Sequence, residues 1–288
     1  MSSPNTTTAS PARTKPTGNN GPTIPTDPLL MTIHRLTLTL CLICLSLLTG
    51  CTHSDLVHQT SSIDALLQGE YGPLITVAQL KTQGDTGIGT FEHLDGEMLM
   101  LDGIVYQIRS DGTVHKRDND TQVPFATVKF FKADQTITID KPMPLANLYQ
   151  TLDEQLPTDN WFHTFIIKGS FKSVKTRSVP RQTPPYPPLV EVVKQQPTWT
   201  FENVTGTLVG FKCPSFSKGL NVPGYHLHFL RDDLAGGGHV LDFQTNHVSV
   251  KIDSSRQWQV TLPDTKKFRE MDFAKDRSKE LHKVEKDH

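Results

Sequence analysis

Three Asp-Gly pairs stand at close spacing in the chain, Asp95-Gly96, Asp102-Gly103 and Asp111-Gly112, and they leave few options for what lies around them. Asp-Gly tolerates the positive φ angles that tight hairpin turns require. The segments between the pairs, Met98 to Leu101 and Ile104 to Ile108, are too short for stable helices and read as an antiparallel meander. The spans 126–131 and 136–139 continue that pattern. Further along, 162–171 and 173–179 read as strands. So do 201–211, 225–230, 239–244, 248–252 and 258–262, five strands expected to be antiparallel.

The helical signals are short. Residues 60–69 carry a cap at Ser61 or Ser62 and an apolar face of Ile63, Leu66 and Leu67. Thr76 and Gln79 make a capping-box pattern for a second helix, ended by Gly84. Leu145, Leu148, Leu152 and Leu156 recur at helical spacing behind Pro144. The stretch from Pro180 to Pro197 is too rich in proline for a central strand and is expected to run as an extended arm over the surface or along a site. The charged tail from Asp272 to Lys286 allows a short helix. Together these signals predict an α+β, β-rich fold with two mostly antiparallel or mixed β-sheet layers and a few short helices.

The organisation expected is a leader over residues 1–50, an N-terminal β-sheet domain over 51–160, and a C-terminal antiparallel β domain over 161–288. Residues 1–30 are mostly Ser, Thr, Pro, Asn and Gly without apolar periodicity. After Met31, read as the natural start, Arg35 precedes an apolar run from Leu36 to Leu48. A membrane span needs about 20 residues, so this shorter run fits the core of an export signal. It ends in Leu48-Thr49-Gly50-Cys51, which resembles the lipobox of bacterial lipoproteins. The expectation is an exported protein anchored in the cell envelope through a lipidated Cys51. Cys41, Cys44 and Cys51 all lie in the signal segment; Cys213 stands alone in the body, so no disulfide framework is available there. With 29 basic and 30 acidic residues and no basic run, the chain offers nucleic acid no footprint.

One hairpin carries the chemistry. His226 and His228 alternate with Leu227, so both project from one face of a strand, roughly 7 Å apart. A turn centred on Asp233-Leu234 brings His239 opposite His228 on the returning strand, where facing Cβ atoms lie about 4.5–5.5 Å apart. Three imidazoles then converge on a point with a fourth position open, the pattern of a catalytic zinc site.

Several motifs, taken in order, resemble the α-acetolactate decarboxylase family over roughly Ile63 to Glu285. They are Gly87-Ile88-Gly89-Thr90-Phe91, Leu94-Asp95-Gly96-Glu97, Leu101 to Gln107, Thr176-Arg177-Ser178-Val179-Pro180, Tyr186-Pro187-Pro188, Gly206 to Phe211, Gly224 to Phe229 and Gly237-Gly238-His239. The resemblance implies zinc-dependent decarboxylation of 2-acetolactate (2-hydroxy-2-methyl-3-oxobutanoate) to acetoin and CO2. It implies Zn2+ on His226, His228 and His239, with Glu97, Arg177, Glu285 and Thr90 in the active site, and a homodimer as the usual assembly. The lipobox-like leader departs from many members of the family.

Without the resemblance, several of these residues read plainly. Glu97 follows a turn and would be solvated, Arg177 lies among Lys172, Lys175 and Arg181 as on a basic strand edge, and Glu285 sits near a terminus where chains fray. His53, His58, His93, His115, His163, His247, His282 and His288 are read as surface or core histidines. Two other functions fit the histidine pattern. A cupin-like oxygenase or isomerase also uses three histidines but adds a carboxylate just after the pair, where Asp232 and Asp233 fall. A surface lipoprotein that binds metal or a small ligand without turnover would have no use for Arg177 or Glu97.

Overall fold

The computed structural model describes residues 55–286; the leader and Cys51 lie outside the described residues. Among the described residues no helix is long and apolar enough to cross a membrane. The fold is α+β and β-rich. A seven-stranded sheet runs in the order Gln257–Thr261, Leu56–Thr60, Phe125–Lys129, Thr86–Thr90, Glu97–Leu101, Ile104–Ile108, Val114–Lys116. The second sheet is built on Phe162–Arg177, Thr198–Cys213, Gly224–Arg231 and Gly237–Ser255, with Gly237–Ser255 pairing both Phe162–Arg177 and Gly224–Arg231, so these four strands close on themselves. Gln135–Ile139 and Met143–Pro144 add to the outer part of Gly237–Ser255.

The Asp-Gly turns fall where the sequence places them. Asp102 and Gly103 take φ of 51° and 73°, both positive, as a two-residue turn of the twisted hairpin kind demands, and they join Glu97–Leu101 to Ile104–Ile108. Helix Ile63–Leu67 is capped by Ser62, and Val77–Lys81 carries the reciprocal Thr76–Gln79 box. Leu145–Asp153 follows Pro144 and buries Leu148 and Leu152.

Four expectations need correction. The two strands expected over 162–179 are one, Phe162–Arg177, because the break is a bulge: the register with Gly237–Ser255 shifts near Phe171 and again between Lys175 and Thr176. The spans 239–244 and 248–252 merge in the same way into Gly237–Ser255. Strand Gln257–Thr261 is not a fifth antiparallel partner; it pairs parallel with Leu56–Thr60 at the edge of the first sheet. The proline-rich arm is not extended throughout. Past Pro188 it turns into Leu189–Val192 and then Val193–Gln195, because Leu189, Val192 and Val193 have an apolar cluster to fill.

That cluster positions the site. It gathers Ile63, Leu66 and Leu67, Val179, Leu189, and Leu281 and Val284 of helix Ser278–Lys286. A nine-residue helix has little stability of its own. Burial of Leu281 and Val284, each worth about 1.5–3 kcal/mol, holds this charged tail against the body. A second cluster, including Ile88, Leu99 and Ile108 from one sheet and Val209, Phe211 and Leu230 from the other, packs the two sheets together.

Candidate active site

The hairpin folds in the register read from its sequence. His228 pairs with His239 across the strands Gly224–Arg231 and Gly237–Ser255. The close approach depends on glycine: a Cβ on Gly237 would lie 2.2 Å from the Phe229 carbonyl oxygen, and one on Gly238, at φ +131°, 2.3 Å from that of Arg177. Ring centroids of the three histidines are 4.9 to 5.5 Å apart, and one ligating atom from each lies within 4.8 Å of the others. Asp232 and Asp233 stay in the turn, where Asp233 accepts hydrogen bonds from Arg231. The carboxylates that do approach the imidazoles are Glu97 and Glu285.

Arg177 arrives by the bulge. The shift between Lys175 and Thr176 places Arg177 directly beside His239, so Arg177, His239 and His228 form one row across three strands. Its Nη1 donates to Glu97 Oε1 at 3.1 Å and its Nη2 to the Val284 carbonyl at 3.1 Å. One guanidinium thus ties the first sheet to the C-terminal helix. Glu97 opens its strand opposite Thr90, whose hydroxyl donates to the Gly96 carbonyl at 2.7 Å and fixes the turn just before Glu97. Glu97 Oε2 lies 3.6 Å from His228 Nε2. Glu285 Oε2 lies 3.5 Å from His239 Nε2 and 3.9 Å from His226 Nε2. All seven residues singled out from the sequence line one cavity of about 40 Å³.

Electrostatics follow from burial. Desolvation lowers the His226 imidazole to about 3, aided by the Arg177 charge, and holds His228 and His239 well below their ordinary value. All three are neutral, the form that offers a lone pair to a metal. Burial also raises the Glu97 carboxyl to about 7. Arg177 pulls it down and Glu285 pushes it up, and desolvation outweighs the guanidinium.

The donor set fits a divalent metal. His228 Nδ1 lies 2.8 Å from the Met98 carbonyl, which can only accept, so Nδ1 carries the proton and the lone pair is on Nε2. That Nε2 is buried without a hydrogen-bond partner among the described residues, as is Arg177 Nε. An imidazole fixed by a carbonyl on its far nitrogen is the usual arrangement of a metal-ligating histidine. His226 Nε2 and His239 Nδ1 are 3.1 Å apart, close to the ~3.3 Å edge of a tetrahedron with bonds of about 2.0–2.1 Å.

Sequence reasoning missed the groups that act through the backbone or through packing. The Met98 carbonyl orients His228, the Val179 backbone contacts Glu97, and Ile63, Leu66, Leu189 and Val284 supply apolar wall. A backbone carbonyl leaves no signature in residue type. Of the packing residues, Ile63 and Leu66 were legible as a helix face, whereas Leu189 falls in the arm expected to be extended and Val284 in the charged tail.

The family model described as Alpha-acetolactate decarboxylase matches residues 57–275, ending short of helix Ser278–Lys286. The alpha-acetolactate decarboxylase of Methanosarcina mazei is 45% identical over 233 residues, covering 81% of this chain and 81% of its own. That of Raoultella terrigena is 41% identical over 225 residues, covering 78% and 87%. The crystal structure of alpha-acetolactate decarboxylase from Bacillus subtilis strain 168 superposes with a TM-score of 0.79 at 38% identity, over 80% of this chain and 99% of that one.

Proposed function

The chain belongs to the alpha-acetolactate decarboxylase family and is a carboxy-lyase, and from that premise we propose that it converts 2-acetolactate to acetoin and CO2 with zinc held by His226, His228 and His239. The observation that carries this reading is one cavity in which three neutral imidazoles meet a buried Arg177–Glu97 pair. Two buried polar atoms there, His228 Nε2 and Arg177 Nε, have no hydrogen-bond partner among the described residues and are suited to a ligand.

Acetolactate carries a tertiary alcohol and a carboxylate on one carbon and a ketone on the next. When CO2 leaves, the electron pair spreads onto the ketone as an enediolate, and its negative charge is the main barrier. Bound zinc supplies Lewis-acid stabilisation of that charge. Arg177 is already fixed by Glu97 and Val284, so its guanidinium meets developing negative charge without reorganising. Ile63, Leu66, Leu189 and Val284 keep water from the carbon that must be protonated and give the methyl groups an apolar seat. Glu97, near neutrality in its proton affinity, delivers the proton that ends on carbon. Glu285 lies against His239 and His226 and adds to the upward push that burial exerts on the Glu97 carboxyl. Thr90 holds the turn that aims Glu97. Acetoin formation from racemic acetolactate, assayed before and after chelation and paired with elemental analysis, tests the reading; a folded, metal-replete protein that makes no acetoin overturns it.

Arg177→Lys keeps the charge but loses the fork. One ammonium cannot serve both Glu97 and the Val284 carbonyl in the planar geometry seen here. This variant is expected to retain its metal and lose at least about tenfold in kcat/KM, equivalent to ~1.4 kcal/mol. An unchanged kcat/KM would return Arg177 to a structural strut.

The proposed place of action is the bacterial cell envelope, with Cys51 as the lipidated mature N-terminus. The support is the apolar run and Leu48-Thr49-Gly50-Cys51. Several acyl chains hold a protein on a membrane where a single one binds only marginally. Cys51→Ser is expected to move the protein from the membrane to the soluble fraction or leave it unprocessed. Wild-type protein found wholly in the cytosol refutes the location and leaves the chemistry untouched.

A further inference from the structure

The cavity beside the histidines is lined mostly by buried residues. Of the residues that line it, only His226 and Glu285 keep partial exposure; the rest are buried. Those two, with His239, also line a second and larger depression of about 650 Å³. Its outer walls are one flank of helix Leu145–Asp153, with exposed Ala146 and Gln150 and half-buried Tyr149, and the start of strand Gly224–Arg231, with Tyr225. The apolar side of the site has no comparable opening among the described residues, because Ile63, Leu66, Phe125, Val179 and Leu189 are each at most 6% exposed.

We propose that this depression is the route by which a small 2-hydroxy carboxylate reaches the three-histidine site and by which the products leave. The inference rests on the metal-site reading above and adds to it the path. The wall is fixed rather than a lid. Tyr149 and Tyr225 stack with centroids 3.9 Å apart and planes 6° apart. The Tyr225 hydroxyl donates to Asp153 Oδ1 at 2.7 Å, and Lys212 Nζ donates to the same oxygen at 2.6 Å. Traffic through such a passage is set by the width of the mouth, and Ala146 and Gln150 are exposed positions where that width can be changed without entering a core.

The test uses the full chain loaded with Co2+, whose visible spectrum reports ligands arriving at the metal, with L-lactate as the probe in stopped-flow mixing. Ala146→Trp and Gln150→Trp narrow the mouth. Asn147→Trp, on the same helix but outside the depression, is the control. An obstruction in the path slows arrival and departure alike, so both rate constants should fall by about fivefold or more while Kd stays that of wild type. The Asn147 variant should match wild type. Wild-type rates in both mouth variants overturn the inference, and so does a weakened Kd with an unchanged association rate. A wild-type chain that takes up no Co2+ fails at an earlier stage and sinks the three-histidine reading itself.

Discussion

Replacing any one of His226, His228 or His239 with Ala is expected to remove metal and decarboxylase activity together. The three rings supply the whole imidazole set of the site, with candidate ligand atoms all within 4.8 Å of one another. Changes to groups that merely orient a ligand already cost about 10–100-fold in metal affinity, so losing a ligand should cost at least ~100-fold. The His228 variant has a second reason to fail, since it also leaves the buried Met98 carbonyl without its imidazole donor. Elemental analysis on purified variants, circular dichroism to confirm folding and an acetoin assay measure all three consequences. His247→Ala is the control: His247 is exposed and pairs only with Asp140 at 2.7 Å among the ion pairs of the described residues, so it should behave as wild type. A single triad variant that keeps full metal and full rate breaks the ligand set.

The histidines were legible because their geometry is local. Alternation puts His226 and His228 on one face, and a Gly-rich turn sets the return register of His239, so a few residues contain the whole argument. Arg177 was less so. Its place beside His239 depends on a one-residue bulge at Leu241 of the partner strand, opposite the Lys175–Thr176 step, and nothing in the side chains marks where a strand will take up an extra residue. Glu285 had no local signal at all. It reaches the imidazoles because Leu281 and Val284 are buried against residues more than two hundred positions earlier in the chain, including Ile63 and Leu66. The strand breaks misread near Lys172 and between Gln244 and Val248 are the same failure: polar residues within a bent strand look like a loop when the partner strand is not known. The Asp-Gly turns succeeded for the opposite reason, since the positive φ is demanded by the turn itself and not by anything distant.

Glu97→Gln should separate binding from chemistry. The amide keeps the size of the carboxyl, and its oxygen can still accept from Arg177 Nη1, so the buried pair is retained without its charge. The variant should fold, hold metal and bind substrate with little change. What it cannot do is give up or recover a proton at the carbon left by CO2. In the wild type, burial holds the carboxyl near 7, where protonated and ionised forms are both populated at neutral pH, as a proton-transferring group requires. Loss of an acid–base group usually costs roughly 10²–10⁴ in rate, so kcat should fall by that span while KM stays near its original value. Steady-state kinetics with acetolactate reads the two parameters separately. A Glu97→Gln enzyme with near-normal kcat would move the proton-handling role to Glu285, 3.5 Å from His239, or to water, and would leave Glu97 as the buried counter-ion of Arg177.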